Sequence, residues 1–314
     1  MMRAYMIYLG SSMWHDWDSE IPHGKNDPRY YAEMFTQKSA WRKIVDFLPQ
    51  NGINTVLIDM AEGVQYDSVP EISCKGAWNK YEFREELDHI RALGMIPIPK
   101  FNFSATHDAW FGEYGRMVST PQYYRAIENL LSETAELFDY PEYIHIGLEE
   151  ELPHCQNGYG LCVCRNEEVF WHDADFLFKT VRKNKARPWI WGDGFWYSTE
   201  TYLKNTPKDV LVSNSMYQRI YELEPGDWHL RALEAFQTVA ENGFDYLPMV
   251  STCYRELNAY DILEYVRRQC PQEKLKGFIS TPWCRTSEED VYCHYNDIVR
   301  FSNALKKVYG EVEG

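Results

Sequence analysis

Eight times along its length the chain alternates a short, nearly continuous apolar run with a longer amphipathic stretch, and no other feature restricts the fold as much. The strand-like runs are 5–9, 55–59, 95–101, 143–148, 189–192, 210–213, 246–251 and 277–281. The helical periods are 39–48, 82–93, 122–138, 168–183, a short weak one at 199–204, then 230–241, 261–268 and 289–308. Several are stopped by Gly or Asn, as at Asn51-Gly52, Gly94 and Asn242-Gly243. Strands without polar alternation are buried on both faces, which requires a parallel sheet covered by helices. Eight such units in 314 residues predict an α/β protein, a (β/α)8 TIM barrel, with an open doubly wound sheet as the structural alternative. With no linker, low-complexity segment or solenoid repeat, residues 1–314 are expected to form a single barrel with no domain before it.

The formal net charge of −15 argues against nucleic acid and anionic membrane surfaces as partners. The apolar run at the N-terminus is too short for a signal peptide and reads as a first strand, and no run approaches the roughly 18 apolar residues of a membrane span. Eight cysteines in a chain of this length, without an export signal, suggest reduced thiols and a cytoplasmic location. No Gly-rich loop has phosphate-binding spacing, so neither a nucleotide nor another cofactor is expected. Oligomeric state is open.

Active sites of such barrels lie just past the carboxyl ends of the strands. There the chain places Trp14, His15, Asp16, Trp17 and Asp18, then Asp59 and Glu62, then Lys100, Asn102 and His107. The fourth run is followed by three consecutive carboxylates, Glu149, Glu150 and Glu151. Later strands deliver Trp191, Asp193 and Trp196, then Asn214 and Tyr217, then Thr252 and Tyr254, and finally Trp283 and Arg285. Aromatic faces pack on sugar C–H faces while carboxylates and amides take the hydroxyls, so the inventory suits a carbohydrate. Adjacent carboxylates raise one another's pKa, which keeps one protonated for general acid work on a glycosidic bond. A solvated surface turn is the plainer account of the glutamates. His154, Cys155, Cys162 and Cys164 crowd the loop after the fourth strand and offer zinc ligands, although no CxxC knuckle is present; reduced thiols or a rim disulfide also fit. Cys253, Cys284 and Cys293-His294 fall near strands seven and eight and could approach that loop across the barrel mouth.

In sequence order these motifs resemble the β-N-acetylhexosaminidases of glycoside hydrolase family 20. Pro70-Glu71-Ile72 with Lys75-Gly76-Ala77-Trp78 is similar to that family's P-E-L…K-G-A-aromatic stretch, and His145-Ile146-Gly147-Leu148-Glu149-Glu150 to its H-I-G-G-D-E signature. Trp191-Gly192-Asp193 resembles W-D-D, and Gly277 to Trp283 its closing strand. The resemblance implies a retaining, substrate-assisted hydrolysis of β-linked N-acetylhexosaminides or a related glycoside, with an oligosaccharide or glycoside as partner. Glu150 would be the general acid/base and Glu149 would orient the 2-acetamido group. Tyr217 would donate to the acetamido oxygen, Trp191 and Trp283 would wall the pocket, and Trp14, Asp59, His107, His145, Asp193 and Arg285 would complete the substrate contacts. Leu148 stands where the signature has Gly, Glu149 where it has Asp, and Arg285 where the closing motif has an acid, a cation that would suit an anionic sugar. A non-catalytic carbohydrate-binding barrel and a zinc-dependent hydrolase built on the cysteine loop are the other readings.

Overall fold

The computed structural model describes residues 1–12, 31–149, 151–156, 160–253 and 255–310, the side chains of residues 154 and 155 excepted. Eight strands form one all-parallel sheet: β1 (Met2–Tyr8), β2 (Thr55–Asp59), β3 (Ile96–Lys100), β4 (Tyr143–His145), β5 (Arg187–Trp191), β6 (Leu211–Ser213), β7 (Met249–Val250) and β8 (Gly277–Ser280). Each pairs with its sequence neighbours except at β6 and β7, and β1 also pairs with β8. The seam between β6 and β7 is closed by single bridges, Val212 with Tyr246 and Ser215 with Met249, so the sheet curls into a (β/α)8 barrel.

The helices wrapping it are α1 (Lys38–Phe47), α2 (Lys80–Ala92), α3 (Pro121–Leu137), α4 (Glu167–Lys183), the short α5 (Gly194–Tyr197) and α6 (Thr199–Asn205), α7 (His229–Glu241), α8 (Asn258–Gln269) and α9 (Val291–Tyr309). Their starts are chemically marked. Asn79 and Glu82 form a reciprocal capping box on α2, while Thr120 and Asn166 accept from the first-turn amides of α3 and α4.

Side-chain alternation along the strands divides the apolar residues into two cores. Tyr5, Ile7, Val56, Ile58 and Ile144 point outward under the helices, joined by Trp41, Ile44, Phe83, Leu87, Leu130 and Leu177. Ala4, Met6, Tyr8, Leu57, Ile98, Tyr143, Trp189, Trp191, Leu211, Leu247 and Ile279 fill the barrel. The same two-residue step carries the inward set on to Asp59, Lys100 and His145, so the interior turns polar at the carboxyl ends of the strands. Register holds these three side by side, Asp59 opposite Lys100 and Lys100 opposite His145.

Strand pairing in β4 stops at His145, three residues before the apolar run ends. The chain turns there because Gly147 and Leu148 adopt left-handed backbone conformations, φ 73° and 65°. Gly147 has no alternative, since a Cβ at that position would lie 2.0 Å from Asn102 Oδ1. The turn brings Glu149 to the barrel mouth, beside Asn102 and His107.

Candidate active site at the carboxyl-terminal mouth

Glu149 follows directly on this turn. Its side chain is 15% exposed. Asn102 donates an amide N–H to Glu149 Oε2, and the Asn102 orientation is fixed because its Oδ1 accepts from Ser104 N at 3.2 Å. His107 Nδ1 lies 3.2 Å from the same carboxylate oxygen and 2.8 Å from Thr106 Oγ1. Burial pushes the Glu149 carboxyl up to about 8, the charge of Asp193 adds to the rise, and the Asn102 bond and Lys100 oppose it. Asp193, just beyond β5, is likewise raised to about 7 by burial. These two carboxyls therefore titrate as a pair near neutral pH.

Beneath them sits a buried ion pair. Lys100 Nζ donates to Asp59 Oδ2 at 2.8 Å, and Ser12 Oγ donates to Asp59 Oδ1 at 2.6 Å. Lys100 also stands 5.9 Å from the centroid of the Trp191 ring. His145 packs against that ring at 4.1 Å, and burial first, then the Lys100 charge, holds its imidazole neutral by lowering its pKa well below the usual value. Because Gly147 N donates to His145 Nδ1 at 3.1 Å, the proton is on Nε2, which is buried with no partner among the described residues. Glu62, past β2, accepts from Ser11 N at 3.1 Å and is pushed up to about 8 by burial.

The opposite wall is aromatic. Tyr217 and Trp283 meet edge to face with centroids 6.2 Å apart, and both pack on the interior core. Trp283 has a left-handed backbone, φ 49°, and its buried indole N–H has no partner among the described residues. Arg285 turns toward the start of α9, its Nε 3.4 Å from Asp290 Oδ2 and its Nη2 3.9 Å from Glu289. Glu150 and Trp14, the other two expected site residues, lie outside the described residues, as do Asp16, Trp17 and Tyr254.

The three glutamates do not share one role. Glu151 is 3% exposed and locked to Arg165, which also reaches Asp173 at 2.7 Å, and it accepts from Ala105 N at 2.8 Å. This triad fixes the loop after β4 to the start of α4. Lys100 ends the third strand and Asn102 follows it, and strand register is the signal that pairs Lys100 with Asp59. Of the cysteine loop, Cys162 and Cys164 hold their sulfurs 3.8 Å apart at the surface, and the side chains of His154 and Cys155 lie outside the described residues.

No family model matches the sequence, and no curated protein matches it. Solved structures do. A β-N-acetylhexosaminidase from Bacteroides fragilis NCTC 9343 superposes with TM-score 0.67 at 12% identity over 96% of this chain, which spans 65% of that longer protein. Dispersin B gives 0.61 at 13% identity, covering 98% of this chain and 99% of its own. The chain has the fold of the family 20 barrels. Likeness extends to a second class, since a glycoside hydrolase family 5 enzyme from Prevotella bryantii B14 gives 0.57 at 12% identity over 96% of this chain and 95% of that one.

Proposed function

We propose that this protein is a glycoside hydrolase that cleaves β-linked N-acetylhexosaminides or a related glycoside with retention of configuration. The observation that carries the reading is the Glu149–Asp193 pair, raised to about 8 and 7 at the mouth of a barrel whose structural neighbours are glycosidases. Between these values the pair holds about one proton. As a substrate's acetamido oxygen attacks the anomeric carbon, positive charge develops beside Glu149, and that charge favours its ionised form at the moment it is needed. The buried N–H donors of His145 and Trp283 suit sugar hydroxyls, and the Trp191, Tyr217 and Trp283 rings suit the C–H faces. Glu150, next in the chain, is assigned the proton donated to the leaving oxygen.

The raised pKa of Glu149 favours one variant of this scheme, in which Glu149 itself is the donor. The two assignments separate by leaving group, because an aryl glycoside with an acidic leaving group needs little protonation and an alkyl glycoside needs it fully. Replacing the true acid by Gln lowers kcat on alkyl glycosides by about 10²–10⁴-fold and on nitrophenyl glycosides far less. Replacing the acetamido partner depresses both alike and weakens inhibition by a thiazoline mimic of the oxazolinium. The reading fails if the parent protein binds glycosides from a chromogenic panel without turning any over, as a sugar-binding barrel would.

A further inference from the structure

On the rim between the ends of β7 and β8, three thiols converge. Cys253 follows β7, Cys284 follows β8, and Cys293 lies in the first turn of α9. Their sulfurs all lie within 4.8 Å of one another, and Cys253 Sγ is 3.6 Å from Cys293 Sγ. Cys284 is buried, Cys293 half-buried and Cys253 exposed, so solvent reaches the cluster at Cys253. Two bonded zinc–sulfur distances of about 2.3 Å at a tetrahedral angle put sulfurs about 3.8 Å apart, close to the Cys253–Cys293 separation. A disulfide requires about 2.05 Å.

The three elements are already fastened together one step away. Asp297, four residues after Cys293 on the same face of α9, accepts from Thr252 N at 2.9 Å, from Thr252 Oγ1 at 2.5 Å and from Ser280 Oγ at 2.6 Å. The thiols are thus held in place by hydrogen bonds that do not involve them, which is what a preformed ligand set needs. His294 is not a fourth ligand, because Nδ1 is 3.1 Å from Tyr5 OH and Nε2 3.1 Å from the Arg285 carbonyl oxygen.

We propose that Cys253, Cys284 and Cys293 bind one Zn²⁺ through three thiolates, with the fourth position facing solvent beside Cys253 and open to water or an exogenous ligand. Three sulfur donors select a soft ion of this kind over Mg²⁺ or Ca²⁺. The ion ties the loops after β7 and β8 to α9, and through Cys284 it anchors the neighbouring Trp283.

The test uses the full chain, reduced, freed of metal and titrated with Zn²⁺ against a chromophoric chelator, with Co²⁺ as a spectroscopic substitute. One Zn²⁺ per chain is expected, together with sulfur-to-cobalt charge-transfer absorption. C253S, at an exposed position, weakens binding by more than about a hundredfold, since loss of a ligand exceeds the loss of an outer-shell contact. The C162S/C164S double variant binds as the parent does, and circular dichroism verifies that each variant is folded. Absence of stoichiometric Zn²⁺ in the reduced parent overturns the proposal. So does a folded C253S that binds as tightly as the parent, or loss of the ion in C162S/C164S instead.

Discussion

At the scale of single residues, Glu149 shows the site working against stability. A carboxyl whose folded pKa is raised leaves the fold unpenalised below its unfolded value near 4.5, and stability is lost as pH climbs from there toward about 8, because the unfolded chain releases a proton that the native state retains. Glu149→Gln is expected to remove that slope. In urea denaturation the variant should gain on the parent by about 2–4 kcal/mol between pH 5 and pH 8, and parallel curves for the two would count against the buried, protonated carboxyl. Leu148 holds a left-handed backbone at a position where glycine would be unstrained, yet it is 2% exposed and part of the outer core. Relief of strain is worth about 1–2 kcal/mol and loss of a buried leucine about 2–5 kcal/mol, so Leu148→Gly should destabilise on balance, measurable by the same denaturation.

Elements place these residues. The loop after β4 is not an independent lid, because Glu151, Arg165 and Asp173 clamp it to α4 in a buried ion triad. Burial alone would raise the Asp173 carboxyl, but bonds from Ser119, Tyr124 and Arg165 outweigh it and hold it below the usual range. Arg165→Met strips the cation from two buried carboxylates, with an expected cost of about 3–5 kcal/mol. Thermal melts would register this, and an unchanged melting temperature would mean that the triad is not closed in solution. The glutamate triplet could be read from the sequence as a site signal, but its division into Glu149 at the mouth and Glu151 in a structural clamp could not. Arg165 lies fourteen residues from Glu151, and nothing local announces the pairing.

For the whole molecule, barrel closure is uneven. β1 and β2 share five register pairs, whereas β6 meets the β7 segment through bridges and three backbone bonds: Val212 N to Asp245 O, Leu247 N to Val212 O and Met249 N to Asn214 O. Hydrogen exchange should therefore be faster at the Leu247 and Met249 amides than at those of Val56 and Leu57. Equal protection across both seams would indicate a uniformly closed ring. Among the described residues no helix is long and apolar enough to cross a membrane.

The sequence by itself determined the barrel, because eight apolar strands each followed by an amphipathic helix bury both faces of a sheet in few other ways. It also named most of the mouth, since carboxyl ends of strands are readable from where each apolar run stops. Only the tertiary structure decided how those residues combine. Lys100 neutralises Asp59 through strand register, while burial, and after it the charge of Asp193 beyond the adjacent strand, raises the Glu149 carboxyl. Likewise Cys253, Cys284 and Cys293 gather from positions up to forty residues apart. The reason is physical: burial and charge fall off with distance in space, and a folded chain brings together groups whose separation along it says nothing of how near they lie.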